Sequence, residues 1–339
     1  MPIINSNFAK RFRKNNRAYF SLIILAILFF ISLFAEFIAN DKPIIVKYNS
    51  RYFFPIFQNV NEVDLGGELQ TTADYLDPQV QKIINQNGWL IFPIIPFSFD
   101  TINMNLKGRA PSSPSPENLL GTDDQARDVL SRIIYGVRIS LIFGIILSFL
   151  TLIIGIFLGA IQGYFGGKID LFLQRFIEIW SSLPMMYLLI IFSSIIVPSF
   201  WSLLLIMLAF SWVSVVSYVR AEFLRIRNFD FVRAHKALGA SSWRTIFLQI
   251  LPNASPIIIA NLPFLIAGSI TTITALDFLG LGLPVGSPSL GELLSQGKNN
   301  ISAYWLGLSG FFITTLILTI LVFIAEGLRD SIDSRANNF

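Results

Sequence analysis

Residues 139–161 read ISLIFGIILSFLTLIIGIFLGAI, twenty-three in succession without an ionisable side chain. A helix rises about 1.5 Å per residue, so about 20 apolar residues are enough to cross the hydrocarbon layer of a bilayer. A helix that is apolar on every side needs apolar surroundings on every side, and for a run this long lipid supplies them. The stretch therefore sets the fold class: a membrane-spanning helix.

Five further stretches meet the same criterion, at 18–38, 172–197, 201–219, 257–276 and 304–325. The chain of 339 residues reads as an all-α polytopic membrane protein with six helices. Composition agrees, since 53% of residues are hydrophobic and 14% charged, with a mean hydropathy of +0.63. That surplus of apolar side chains exceeds what a soluble domain of this size buries. Cysteine is absent and histidine occurs once, as His235, which excludes thiol chemistry and thiolate metal sites and leaves metal binding without a ligand set.

Basic residues near span ends set an orientation, because Lys and Arg are retained on the cytoplasmic side. Lys10, Arg11, Arg13, Lys14 and Arg17 precede the first span, and Arg220, Arg225, Arg227, Arg233, Lys236 and Arg244 lie between the fourth and fifth. Lys168 and Arg175 follow the second span, and Arg329 and Arg335 follow the sixth. Both termini are expected in the cytoplasm, and the net charge of +4 argues topology rather than nucleic-acid binding. The first span reads as an uncleaved anchor, its uncharged stretch exceeding the apolar core of a signal peptide.

Three regions follow: 1–39, the cytoplasmic tail and first span; 40–118, a periplasmic segment inserted after the first helix; and 119–339, a core of five spans with a cytoplasmic loop at 220–252. In the insertion, aromatics including Tyr48, Phe53, Tyr75 and Phe92 supply material for a small core, and the run 111–116 reads as a linker. Gly121, Thr122 and Asp123 resemble a helix start. Val129, Leu130, Ile133 and Ile134 then predict an amphipathic helix lying at the outer surface before the second span, with Arg127, Asp128 and Arg132 at its polar side. The acidic trio Asp123, Asp124 and Asp128 reads as cap and solvated face, lacking the rest of a calcium loop.

Gly155, Gly159 and Gly163, at intervals of four, predict a small-residue face where another helix approaches. Glu178, which Arg175 is spaced to pair, and Asp277 are the ionisable residues that qualify as candidates for a translocation path. Catalytic readings fail. Gly163 to Lys168 lacks the first glycine and the Ser or Thr of a phosphate loop. Gly307, Leu308, Ser309 and Gly310 are followed by Phe311, not the final glycine of a nucleophile elbow, and on this topology most of a bilayer separates Ser309 from His235.

The cytoplasmic loop is longer and more basic than a connection needs. Phe231, Val232, Arg233, Ala234, His235, Lys236, Ala237 and Leu238 suit a short helix, Gly239 and Ala240 break it, Ser241 or Ser242 caps a second, and Leu251–Pro252 returns to the membrane. A helix-glycine-helix unit on the cytoplasmic side is a docking element. The segment from Val232 through Gly239 to Leu251 and Pro252 resembles the Glu-Ala-Ala…Gly…Leu-Pro loop of importer-type ABC permeases, with Arg233 at the Glu position, His235 at the second Ala and Gln249 at the usual Ile. Residues 120–123, 127–132 and 135–141 are similar to the core entry of dipeptide and oligopeptide permeases of the OppC/DppC type, with Ala126 replacing a usual Gly. Residues 163–170, 278–283 and 328–333 also match that type, and 286–300 with the large outer segment look most like its YejE branch.

That resemblance implies a type I ABC importer transmembrane domain (MetI-like) in the bacterial inner membrane. It implies import of peptides or peptide-like compounds by alternating access, with residues 231–240 coupling the permease to ATP hydrolysis. It further implies a second homologous permease subunit, two ATPase subunits carrying ATP and Mg, a periplasmic peptide-binding protein, and no cofactor or catalytic site on this chain. An ATP-independent secondary transporter is the alternative, and it calls for intramembrane ionisable residues or an internal repeat of the kind such carriers use.

Overall fold

The computed structural model describes residues 6–106 and 108–332; Arg335 and Asp333 lie outside them. A short helix, α1 (Ser6–Lys14), is followed by the first span, α2 (Asn16–Leu33), which Asn15 caps by accepting from the Ala18 N–H, and by one further turn, α3 (Ala35–Ile38). The insertion then departs from an all-helical pattern. Strands β1 (Ile45–Tyr48), β2 (Arg51–Phe53) and β3 (Gly88–Ile91) form an antiparallel sheet in the order β2-β1-β3, with Val46 opposite both Phe53 and Leu90. Helix α4 (Pro78–Asn87) packs on it. Val46, Tyr48, Leu65, Tyr75, Val80 and Ile84 are buried together, so the insertion holds an apolar core of its own. The Tyr75 hydroxyl is buried without a hydrogen-bond partner, and burial pushes its pKa up to about 12.

The second span corrects the expectation of a separate surface helix. Helix α5 (Val129–Phe165) runs unbroken for 37 residues, about 55 Å at 1.5 Å per residue. Its cap is Asp128, which accepts from the Ser131 N–H, not Thr122 or Asp123. Val129 to Ile134 are its first turns, and Arg132 is wholly buried rather than on a polar face. Two features account for this. Gly121 and Ala126 adopt positive φ, 75° and 63°, which keeps the chain in turns up to residue 128. The two arginines that would otherwise favour solvent are paired, Arg132 with Glu292 and Arg138 with Glu36.

The third span is also corrected. In place of one straight helix there are two, α6 (Gly167–Ser181) and α7 (Met185–Ile195), bent by 66°. Pro184 sits at the break; it has no N–H to donate, and its ring forces the preceding residue out of the helical region. Besides α2, four helical segments among the described residues are long and apolar enough to cross unbroken: α5, α8 (Phe200–Ile226), the segment Ser242–Phe278, and α13 (Tyr304–Ile332). Within Ser242–Phe278 lie α10 (Ser242–Thr245), a π-helical turn (Ile246–Ile250) and α11 (Leu251–Phe278). Helix α9 (Asp230–Ala237) precedes it, and α12 (Leu290–Asn299) joins α11 to α13.

Small residues set the closest packing. A Cβ added at Gly155 would collide with Val215 of α8, one at Gly159 would lie 2.8 Å from Val219 Cβ, and one at Gly163 would lie 2.7 Å from the Arg220 carbonyl oxygen and collide with Phe223. The face of α5 that these glycines share is thus the one on which α8 lies. A second buried layer joins Val137, Leu141, Ile270, Leu290, Leu306 and Ile317 from α5, α11, α12 and α13.

Candidate functional site

Two ends of the bundle carry polar constellations. At the end where α5 finishes and α8 finishes, Arg220 donates from Nε and Nη2 to the two carboxylate oxygens of Asp170, at 2.5 and 2.7 Å, and Arg227 donates to the carbonyls of Gly163 and Tyr164 at 3.3 Å. These contacts fix the base on which α9 is mounted. Only Val232 of α9 is fully buried, in a cluster with Tyr164, Phe223, Ile226, Ile246 and Ile250. His235 is half-buried, and Lys236 places its ammonium 4.5 Å from the centre of the Tyr164 ring. Phe231, Arg233, Ala234, Ala237 and Leu238 are exposed, Leu238 to 87%.

Gly239 ends the helix at φ +80°, donating to the Lys236 carbonyl, while Ala240 donates to that of His235. A left-handed residue in this position lets the chain reverse and satisfies carbonyls the helix leaves open. Ser241 then caps α10 by accepting from the Arg244 N–H, and Trp243 stacks between Phe157 of α5 and Phe247. The loop therefore presents one short helix on a rigid, aromatic-buttressed mount, with apolar Phe231 and Leu238 outward.

At the opposite end, sequence reasoning missed a buried charge cluster. Arg127 Nη2 lies 2.6 Å from Asp123 Oδ2 and 3.2 Å from Glu292 Oε1; Arg132 Nη2 lies 2.9 Å from Glu292 Oε2. Arg132 also donates to the carbonyls of Phe99, at 3.2 Å, and Ser287, at 3.0 Å. Two cations face two carboxylates, so the cluster is neutral in sum, and it ties the insertion, the start of α5 and the start of α12 together. Asp128 accepts from Asn118 and Ser131, and Asp124 is exposed. Beside this cluster a cleft of about 1200 Å³ opens between insertion and core, with Asp41, Asp74, Asp77, Asp100 and Glu117 in its wall.

The candidate path residues fall in different settings. Glu178 accepts from Arg175 at 2.6 Å on an exposed face of α6. Asp277 is turned inward, accepting from Ser289 Oγ at 2.5 Å and from the Leu283 N–H at 2.7 Å, and so shapes the turn leading to α12. A polar surface within the spans lies on α11. Asn261, Phe264, Gly268, Thr271 and Ala275 share one side of that helix; Asn261 is half-buried, and Phe264, Gly268, Thr271 and Ala275 are exposed among the described residues. By contrast the exposed residues along the middle of α5, Ile145, Phe149, Ile153 and Phe157, are all aliphatic or aromatic. The spacing of Asn261, Gly268 and Thr271 carried that signal. No group of His, Cys, Asp or Glu among the described residues is placed to hold a metal, and Ser309 Oγ donates to the Leu306 carbonyl of its own helix.

Residues 152–338, more than half of the chain, match the model of the binding-protein-dependent transport system inner membrane component, and residues 6–60 match the N-terminal transmembrane domain of oligopeptide transport permease C. The chain belongs to the binding-protein-dependent inner-membrane permease family. Over 332 residues it is 49% identical to the Escherichia coli inner membrane ABC transporter permease protein YejE, covering 98% of this chain and 97% of that one. It is also 49% identical to the peptidoglycan transport system permease protein YejE of Agrobacterium fabrum, over 96% of this chain and 92% of the relative. The dipeptide transport system permease protein DppC of Haemophilus influenzae is 38% identical over 65% of this chain and 75% of its own. The permease is thus a multi-pass inner-membrane protein, and the loop at 220–252 and the contacts of Gly155, Gly159 and Gly163 with α8 lie within residues 152–338.

Proposed function

We propose that this chain is the membrane-spanning subunit of an ATP-driven importer that carries peptides or peptide-like compounds, peptidoglycan fragments among them, from the periplasm to the cytoplasm. The observation that carries the reading is α9: Val232 is its one fully buried residue, His235 is half-buried, and the remaining residues, Phe231 and Leu238 among them, are exposed, so it has the form of a helix made to be covered. The occupant is an ATPase subunit, so that residues 231–240 couple its movement to the bundle. The loop end, with both termini, faces the cytoplasm; the insertion faces the periplasm. A second permease, two ATPases holding ATP and Mg, and a periplasmic peptide-binding protein complete the assembly.

In this mechanism nucleotide-driven movement of α9 passes through Val232 and the Tyr164 cluster to the α5–α8 pair, which rotates as a unit because the glycine face leaves no space for slip. Binding protein and nucleotide each favour one of two states, which biases access to one side. The exposed side of α11 lines the path, where Asn261 and Thr271 meet water rather than lipid, and Glu178 and Asp277 stand at its margins.

The test is Gly239→Pro alongside Leu238→Glu. Proline fixes φ near −65°, incompatible with the +80° at this position, whereas Leu238→Glu changes only an exposed side chain. Both variants are expected to lose the co-purifying ATPase and ATP-dependent peptide uptake. Uptake by both at the wild-type rate would overturn the docking assignment.

A further inference from the structure

The first acidic residue of the chain is Glu36, so the preceding segment carries Lys10, Arg11, Arg13, Lys14 and Arg17 with no anion among them. Helix α1 sorts these charges. At 100° per residue, Phe8 and Phe12 fall on one side, and Lys10, Arg13 and Lys14 on the opposite side with Arg11 at its edge. Phe12 is buried against α13, in a cluster with Ala18, Ile320 and Ile324, and touches the position of Gly327. Asn15, in the break before α2, donates to Asp330 at 3.3 Å. The apolar side of α1 is therefore used by the protein itself, and Lys10, Arg11, Arg13 and Lys14 are left exposed. None of these cations is held in an ion pair among the described residues.

The hydrocarbon-spanning helix begins at Asn16, two residues after α1 ends. That places the cationic ridge at headgroup depth, within reach of long side chains that keep their charge at the interface while their stems lie on apolar surface. We propose that α1 is a binding site for anionic phospholipid headgroups, its ridge holding their phosphates against the end of α13. The ligand class follows from charge complementarity and from position: a layer of phosphate at that depth is what a ridge of four cations beside the start of a span meets.

The experiment is native mass spectrometry of the full-length chain in nanodiscs of mixed cardiolipin and phosphatidylcholine. The wild type is expected to retain cardiolipin with about tenfold preference, and Lys10→Gln, Arg11→Gln, Arg13→Gln and Lys14→Gln together to abolish most of it, while Lys10→Arg with Lys14→Arg keeps it. Absence of preference in the wild type, or an equal preference in the four-Gln variant, would overturn the site. Should that variant fail to insert, wild type alone decides: preference that does not weaken between about 50 mM and about 500 mM salt is not electrostatic, and the proposal falls. It falls equally if the four-Gln variant keeps its lipid and instead sheds a co-purifying subunit, for then the ridge faces protein.

Discussion

Arg132 and Glu292 are 160 residues apart in the chain and 2.9 Å apart in the fold. Arg132 is wholly buried and Glu292 keeps 20% of its side chain exposed, in a cluster that balances two cations with two carboxylates. Removing one member leaves a buried charge without its counterion, which costs about 3–5 kcal/mol, whereas replacing a pair by apolar groups is often close to neutral. Arg132→Met and Glu292→Met are each expected to lower the thermal unfolding midpoint in detergent strongly. The double variant should recover part of the loss, because Asp123 and Arg127 still neutralise one another. Additive losses in the double variant would show that the two side chains act separately.

The approach of α5 to α8 depends on absent side chains. Gly159→Leu is expected to force the helices apart at Val219 and Val216 and to cost about 1–3 kcal/mol, and Gly155→Leu the same at Val215. Gly268→Leu is the control, since nothing lies within 4 Å of the Cβ it would carry. Melting curves for the three variants in one detergent are the measurement; equal effects at all three positions would contradict the packing argument.

Much of this fold was legible in sequence because the bilayer imposes a simple rule: apolar runs of sufficient length span it. That rule is blind to geometry within a run, so hydropathy alone joined α6 and α7 across Ser182 and Pro184, although the proline was in plain view. It is equally blind to long-range pairing. Arg127 and Arg132 read as solvent-facing because Glu292, the residue that permits their burial, lies far along the chain. The loop was more readable, because Gly239 and Ser241 announce a break and a cap through purely local chemistry, and the side of α9 that remains uncovered could be known only once Val232 was seen packed against Tyr164 and Phe223.

Ala126 holds φ +63°, a region that costs a residue with a Cβ about 1 kcal/mol relative to glycine. The turn is nonetheless held by the Ala126 N–H to the Asp123 carbonyl and by the Asn103 N–H to the Ala126 carbonyl. Ala126→Gly is expected to raise stability by roughly 0.5 kcal/mol, the strain relieved being offset in part by the greater freedom of the unfolded chain. Chemical denaturation at constant detergent reads it, and a lowered midpoint would mean that the turn carries no strain.

The insertion has its own pH signature. The Tyr75 pKa is raised in the fold, to about 12 from 10, so its contribution to stability is full below pH 10 and is lost as pH rises through about 12. Tyr75→Phe removes that dependence along with an unpartnered buried hydroxyl. The variant should match or exceed wild type at neutral pH and pull ahead between pH 10 and 12, as followed by circular dichroism of the strand signal; a constant difference across that window would place the Tyr75 hydroxyl in water.

The exposed side of α11 allows a direct test of the proposed path. A lipid-facing surface gains nothing from Asn261 and Thr271: one amide N–H of Asn261 and the hydroxyl of Thr271 donate to the Ile257 and Ala267 carbonyls of their own helix, which leaves the second amide N–H and both side-chain oxygens open. Water on that side removes the penalty. The chain has no cysteine, so single cysteines can be introduced without background. Asn261→Cys and Thr271→Cys are expected to react with a charged, membrane-impermeant thiol reagent in the assembled transporter, and trapping the ATPases in their closed, nucleotide-bound form should change the two rates in opposite directions as access passes from one side to the other. Ile153→Cys and Phe312→Cys, on exposed apolar faces of α5 and α13, should stay unreactive in both states. Unreactive Asn261→Cys and Thr271→Cys in a transporter that still takes up peptide would place the path on another helix, while loss of nucleotide dependence alone would leave the path and remove the alternation.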